Sequence, residues 1–356
     1  MKPMGVGIVG CGRISDLHAL GYRGREDAKI VAVCDTNRKR ARSKGREWGA
    51  SNVYTDYAEL LKDPAVDMVE LLVPHHLHCP MTVQAAAAGK HISVQKPMCL
   101  SAAEADEMID AAEKAGVLLR VYENFVHYAP AVKAKAMLDG GEIGAPVMLR
   151  MHINTGHSLE GWKIPLDAWV WRFNEKKSGG GELVFDHGYH LFSLAYALMG
   201  QAKRVSAWID GTPVAPGVQI DAPATIMFQF KQKRAYGVFD IAHTPDIRMN
   251  SKYYSDDDRI EIVGEKGILF INRYTTKALD LPELMLFKDG KTQAIPVEGV
   301  DWADSFIAAT RHMIDVIQHG GDPKLDGPTG KAVLQFALAA QVSARENREV
   351  DPETVP

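Results

Sequence analysis

Short apolar runs alternate with stretches of helical spacing through the first ~125 residues, the pattern of a parallel sheet built from βαβ units. The apolar runs predict strands at Val6–Val9, Lys29–Cys34, Asn52–Tyr54, Met68–Val73, His91–Gln95 and Leu118–Tyr122. Between them the spacing predicts helices that include Tyr57–Lys62, Pro80–Ala88 and Ala102–Ala115. The last has the clearest ends: Ser101 offers an N-cap, Glu104 follows three residues on, and Gly116 stops the helix.

The texture changes after Asn124. A helix at Pro130–Leu138 and a strand at Val147–Asn154 lead into a Trp-rich irregular stretch, Gly161–Phe173. The glycine run Gly179–Gly181 precedes a helix through His190 to Leu198. Alternating strands follow at Val205–Ile209, Thr225–Phe230, Ala235–Ile241, Arg259–Val263 and Ile268–Ile271, and helices at Ala303–Gln318 and Lys331–Glu346 come last. Consecutive strands without helices between them predict an antiparallel sheet. The expectation is an α/β chain: a doubly wound parallel domain over 1–124, then an α+β domain over 125–356 with a large, mostly antiparallel open sheet. An open sheet face invites a second copy, so a homodimer or homotetramer through that sheet is expected.

Composition narrows the partners. With 356 residues the chain exceeds one ordinary core, and 46% hydrophobic with 24% charged residues is typical of globular enzymes. A formal charge of −4 argues against a nucleic-acid partner. The basic stretch Arg38, Lys39, Arg40, Arg42, Lys44, Arg46 lies on one predicted helix with Trp48 and reads as a solvated face. Four cysteines, all within the first hundred residues, are too few for a disulfide framework and point to a reducing compartment. With no signal-like start and no long apolar run, the expected location is cytoplasmic, without a membrane partner.

Strand Val6–Val9 runs into Gly10-Cys11-Gly12-Arg13-Ile14-Ser15 and then a helix, a dinucleotide fingerprint with Ser15 in the third glycine position. Gly10 permits the tight turn, Gly12 lets the backbone approach a pyrophosphate, and Arg13 and Ile14 complete the candidate cradle. The next strand ends in Val33-Cys34-Asp35, where a carboxylate can accept hydrogen bonds from the ribose hydroxyls. Asp35 favours NAD; Arg38 and Arg40 just beyond it keep NADP open, since arginine suits a 2′-phosphate.

Two further motifs carry candidate chemistry. Gln95-Lys96-Pro97 ends a predicted strand, where α/β sheets place ligands, and a lysine there can exchange a proton with a substrate hydroxyl. In Gly179-Gly180-Gly181-Glu182-Leu183-Val184-Phe185-Asp186-His187-Gly188-Tyr189-His190, Asp186 and His190 are four residues apart and share a helix face. A carboxylate beside an imidazole is a proton-transfer unit. Trp162, Trp169, Trp171 and Phe173 suit the C–H faces of sugars as well as a core. His152, Trp162 and Trp169 are candidate substrate contacts beside Lys96, Asp186 and His190. His75, His76, His78 and Cys79 are too tightly spaced to converge on one tetrahedral ion, so no metal is expected. Asp256-Asp257-Asp258 reads as a solvated loop before a strand.

In combination these motifs resemble the Gfo/Idh/MocA group (glucose–fructose oxidoreductase, inositol 2-dehydrogenase and rhizopine catabolism proteins) over essentially the whole chain. The resemblance rests on the opening GIVGCGRIS and the VCD strand end, on Leu72-Val73-Pro74-His75-His76-Leu77-His78, and on QKP. Trp171-Arg172, the GGGxLxxDxGxH run and Ile262-Val263-Gly264-Glu265-Lys266-Gly267 extend it. It implies a Rossmann domain, a catalytic set of Lys96, Asp186 and His190, and cofactor-side positions at Pro74, His75, His78, Gln95, Asn124 and Arg172. Gln95 stands where the family usually has glutamate, and His75 where asparagine is common. The implied reaction is NAD-dependent hydride transfer from a sugar, glycoside or cyclitol hydroxyl, with either Lys96 or His190 as primary base. The same fold with tightly held NAD, acting by transient oxidation in glycoside cleavage or epimerisation, is an alternative; a non-catalytic NAD(H)-sensing regulator is another.

Overall fold

The computed structural model describes all residues except 1, 2, 159, 164–168, 232, 233, 273 and 277, and leaves out the side chain of 215. The central part of the expected irregular stretch Gly161–Phe173 therefore lies outside the described residues. The chain divides into two compact units, Met1–Glu123 with Lys176–Gly179 and Phe306–Leu334, and Asn124–Glu175 with Gly180–Ser305 and Gln335–Pro356.

In the first unit six parallel strands run β1 (Met4–Val9), β2 (Ala28–Cys34), β3 (Asn52–Tyr54), β4 (Met68–Leu71), β5 (His91–Gln95) and β6 (Leu119–Tyr122). Their order in the sheet, β3-β2-β1-β4-β5-β6, is doubly wound, as the alternating pattern predicts. Every residue of β1, β4 and β6 is buried, because helices cover both faces of such a sheet. The helix Ala102–Ala115 begins with Ser101 Oγ accepting from the Glu104 N–H at 3.2 Å and ends at Gly116 with φ 64°. Glu104 in turn accepts from the Leu100 N–H at 2.8 Å, one residue earlier than a capping box would have it.

The sequence reading placed all of 125–356 in the second domain, but Phe306–Leu334 packs into the first unit. Met313 and Ile314 join the apolar core around Val6 and Ile8, and β6 adds two buried side chains that need acceptors. Tyr122 Oη donates to Phe306 O at 2.8 Å, and the Arg120 guanidinium donates to Ala309 O.

In the second unit eight strands form one sheet, and a two-stranded hairpin forms another. The strands are β7 (Pro146–His157), β8 (Ala202–Ile209), the hairpin β9 (Thr212–Ala215) and β10 (Val218–Ile220), β11 (Ala224–Phe230), β12 (Tyr236–Arg248), β13 (Asp256–Gly264), β14 (Gly267–Ile271), β15 (Leu284–Lys288) and β16 (Lys291–Ala294). The sheet order is β16-β15-β14-β13-β7-β12-β11-β8. Neighbours along the chain pair antiparallel as expected, while β7 pairs parallel with β12, from which several helical segments and four strands separate it in sequence. Among the described residues no helix is long and apolar enough to cross a membrane.

Ser101→Ala removes the acceptor that caps Ala102–Ala115 and should cost about 1 kcal/mol of stability, read as a lower urea midpoint with an unchanged slope.

Candidate active site

The nucleotide end of the first unit is built by three strand ends. Gly10 follows β1 with φ +92°, and a Cβ on it would lie 2.1 Å from Leu72 O beyond β4. Only glycine fits that approach. A Cβ on Gly12 would meet nothing within 4 Å, so the turn is open on that side. Ser15, in the third glycine position, is fully buried, and its hydroxyl donates to Gly12 O at 2.6 Å. Ile14 precedes the short helix Ser15–Leu20, and Arg13 is exposed, 3.4 Å from Asp16.

Asp35 is anchored at the end of β2. Its carboxylate accepts from the Cys11 N–H at 2.9 Å and the Asn37 N–H at 2.8 Å. Arg40 lies 3.6 Å from the same carboxylate, on the helix Arg38–Trp48 that Asn37 caps. Arg40, an arginine that keeps NADP open in the sequence, is paired with Asp35. Beside it a shallow depression is lined by Asn37, Lys39, Arg40, Ser43 and Lys44. A glycine turn with an open side and a fixed carboxylate at the second strand end fit a dinucleotide.

β5 ends at Gln95 and Lys96 opens the turn after it, both half-buried, and the Lys96–Pro97 bond is cis. Gln95 Oε1 accepts from the Lys96 N–H at 2.8 Å. His78, expected near the cofactor, is fully buried with its ring nitrogens 2.8 Å from Pro97 O and 2.9 Å from Val73 O. It braces the turn. Pro74 precedes the short helical turn His75–Leu77, and His75 Nδ1 pairs with Ser178 O at 2.8 Å. Cys79 Sγ lies 3.6 Å from Glu107, so this cluster divides among separate partners.

In the second unit the glycine run leads into a π-helical turn, Glu182–His187, before the α-helix Tyr189–Met199. The sequence predicted one continuous helix. Asp221 holds the start of this turn: its carboxylate accepts from the Leu183 and Val184 N–H groups at 2.7 Å each and sits where a Cβ on Gly181 would fall. π-turns of this kind frequently mark functional sites. Arg172 Nε donates to Asp186 at 2.7 Å, which ties a residue expected on the cofactor side to this carboxylate. His190 stacks on Phe125 with ring centres 4.1 Å apart. Burial pushes the Asp221 carboxyl up to about 6, against the two N–H groups it accepts from. Burial likewise pushes Glu182 up to about 7, against a hydrogen bond from Trp169. Glu182 and Asp221 were not singled out in the sequence; Glu182 at least lies inside the glycine motif.

The remaining candidates fall elsewhere in this unit. Asn124, expected on the cofactor side, is buried and donates to Ser305 Oγ at 2.9 Å. His152 on β7 lies 3.7 Å from Asp257 on β13. Asp256-Asp257-Asp258 is no solvated loop: all three are buried in β13, and His187 lies 3.5 Å from both Asp256 and Asp258. Trp162 packs edge-on against Tyr253, Tyr254 and Trp302, while Trp169 Nε1 donates to Glu182. Both indoles are half-buried.

A doubly wound domain with this glycine turn and strand-end carboxylate defines a dinucleotide-binding protein. Residues 4–123 match the oxidoreductase family model with an NAD-binding Rossmann fold, and residues 131–270 match the Gfo/Idh/MocA C-terminal domain. The chain belongs to the Gfo/Idh/MocA family of oxidoreductases. It is 28% identical to the myo-inositol 2-dehydrogenase of Thermotoga maritima over 99% of each chain. It is also 28% identical to a D-apiose dehydrogenase of Paraburkholderia graminis, over 97% of this chain and 88% of that one. An oxidoreductase from Agrobacterium radiobacter, solved with NAD+, L-tartaric acid and magnesium, shares the fold over 98% of each chain, with TM-score 0.82 at 22% identity.

Asp35 decides the cofactor prediction. A carboxylate fixed by two N–H groups repels a 2′-phosphate, and it already occupies the arginine that would bind one. NAD should be preferred over NADP by at least about tenfold in kcat/KM, or ~1.4 kcal/mol. Asp35→Ser removes the repulsion and releases Arg40, and should narrow or invert the ratio; steady-state kinetics with each cofactor provide the check.

Proposed function

We propose that the protein is an NAD-dependent dehydrogenase of a sugar, glycoside or cyclitol hydroxyl, with Lys96, Asp186 and His190 as its catalytic set. The observation that carries the reading is the lysine turn after β5, braced by His78 and Gln95 in the same domain as the glycine turn and Asp35. Bound NAD supplies a hydride acceptor at its nicotinamide ring. Gly10, Gly12, Arg13, Ile14 and Asp35 would hold the cofactor, with Asp35 on the ribose hydroxyls.

The chain's own residues handle the proton and the charge. His190 takes the hydroxyl proton, its ring backed by the Phe125 face. Asp186, oriented by Arg172, stabilises the imidazolium that forms. Lys96 donates to the oxygen as alkoxide character develops. Trp162 and Trp169 are the proposed substrate contacts, and Glu182, which accepts from Trp169, is an acceptor for a further substrate hydroxyl; His152, which pairs with Asp240 on the outward sheet face shared with Tyr236, leaves that set.

Assembly is part of the proposal. The outward face of the eight-stranded sheet exposes Trp208 at 61%, Tyr236 at 59%, Met227 and Phe287, an apolar surface that a second copy of the chain would cover. A single monomeric species in size-exclusion chromatography with light scattering would overturn this part.

The substrate class is tested by a panel of cyclitols, aldoses, glycosides and sugar acids with NAD, read as NADH absorbance. Cleavage or epimerisation of a glycoside without net NADH would replace dehydrogenation with transient oxidation. Lys96→Ala should lower kcat on the order of 10²–10⁴ with little change in NAD affinity; a kcat within a few-fold of the parent removes Lys96 from the set. A histidine base is inactive when protonated, so the parent should lose rate as pH falls. His190→Asn should lower activity at neutral pH and abolish that acidic limb, and an unchanged limb would move the base role to Lys96.

A further inference from the structure

Beneath the lysine turn the first unit buries a chain of polar side chains that the reaction does not use. His18, from the helix after the glycine turn, is fully buried between Glu70 of β4 and Gln95 of β5. His18 Nδ1 lies 2.8 Å from Glu70 Oε2, and His18 Nε2 lies 3.1 Å from Gln95 Nε2. Tyr22 donates to Glu70 Oε1 at 2.7 Å, and Arg120 lies 4.0 Å from the same oxygen. The Tyr122 ring covers the imidazole at 3.8 Å, and Phe306 meets it edge-on. Burial pushes the Glu70 carboxyl up, but His18, Arg120 and Tyr22 together hold it below the usual carboxylate range.

One proton arrangement satisfies every partner. The backbone N–H of Lys96 can only donate, so the Gln95 atom facing it is the amide oxygen. The Gln95 amide nitrogen therefore faces His18, and as a donor it requires the bare lone pair of Nε2. The ring proton then sits on Nδ1 and is donated to Glu70. A glutamate at position 95, the residue the family resemblance predicts there, would set an acceptor against that lone pair, and only an imidazolium would bridge the two carboxylates. Gln95 is matched to a neutral His18, and Glu70 supplies the carboxylate from the neighbouring strand.

We propose that Glu70, His18 and Gln95 form a positioning relay that ties the backbone of Lys96 to the helix following the glycine turn. None of the three touches the reacting atoms; they set where the lysine side chain originates. The proposal rests on Lys96 being catalytic, and its proton arrangement stands apart from that reading.

Two substitutions at His18 separate positioning from stability. In His18→Asn the amide nitrogen takes the place of Nδ1, keeping the donor to Glu70 and losing the bond to Gln95. In His18→Gln the amide oxygen takes the place of Nε2, keeping the bond from Gln95 and depriving Glu70 of a buried donor. His18→Asn should hold Tm within a few degrees of the parent, yet lose about 10–100-fold in kcat with NAD affinity within about threefold. His18→Gln should show the reverse, a clearly lower Tm with kcat within about threefold of the parent. A kcat that follows Tm in both variants would overturn the relay; if His18→Gln does not fold, a His18→Asn kcat within threefold of the parent overturns it alone. Side-chain 15N spectra read the proton arrangement without activity, the His18 signal being assigned by its loss in His18→Asn. The parent should show a protonated Nδ1 and a bare Nε2, and Gln95→Glu a doubly protonated ring. A protonated Nε2 in the parent, or a neutral ring in Gln95→Glu, contradicts the relay, whereas a fully active Lys96→Ala beside the expected spectra refutes only the lysine's catalytic role.

Discussion

Three strand ends in the first unit come so close together that their backbones and one carboxylate have to interlock. β1 leaves through Gly10, whose missing side chain lets it pass Leu72 O, and β2 ends in Asp35, which takes the N–H of Cys11 from that same turn. The turn's shape is therefore set by neighbours on both sides and not by its own residues alone. Its open side at Gly12 and the fixed carboxylate follow from that interlock, as does the course of the helix that brings His18 onto the inner ends of β4 and β5. Removing the carboxylate at Asp35 thus changes the turn and the partner of Arg40 at once.

The second unit solves a comparable problem with a different device. Asp221 accepts the first N–H groups of the segment that follows the glycine run, where Gly181 leaves room for the carboxylate. Leading N–H groups of a helical segment lack internal partners, and an anion there is stabilising. The cost is burial of the charge, seen in an Asp221 carboxyl pushed up to about 6. With the start of the segment held, the chain widens into a π-turn that carries Asp186 to Arg172 before the regular helix takes His190 to Phe125.

The strands of the first sheet were legible because burial on both faces demands unbroken apolar runs, and His91–Gln95 matches residue for residue. The hairpin β9–β10 and the pair β15–β16 went unseen: they are short, and Pro213, Lys288 and Lys291 interrupt any alternation. The parallel pairing of β7 with β12 is a long-range choice that no local pattern reports. Motif residues such as Gly10, Asp35 and Lys96 stand out because their chemistry has a required position at a strand end. Asp221, Glu70 and His18 do not. Each is a single polar residue whose meaning comes from a partner 37 or more positions away, as in the pairing of His18 with Glu70 across 52. Asn124 and Arg172, placed on the cofactor side by family likeness, also have partners that no local pattern reports, Ser305 and Asp186.

The proposed reaction is hydride transfer from a carbinol carbon to a nicotinamide held by the first unit. The most direct measurement takes a substrate active in the NADH assay, deuterated at its carbinol carbons, and weighs the reduced cofactor by mass spectrometry after a single turnover. The account predicts that the reduced cofactor carries the substrate's deuterium and is released as free product. Reduced cofactor that carries no label would contradict it.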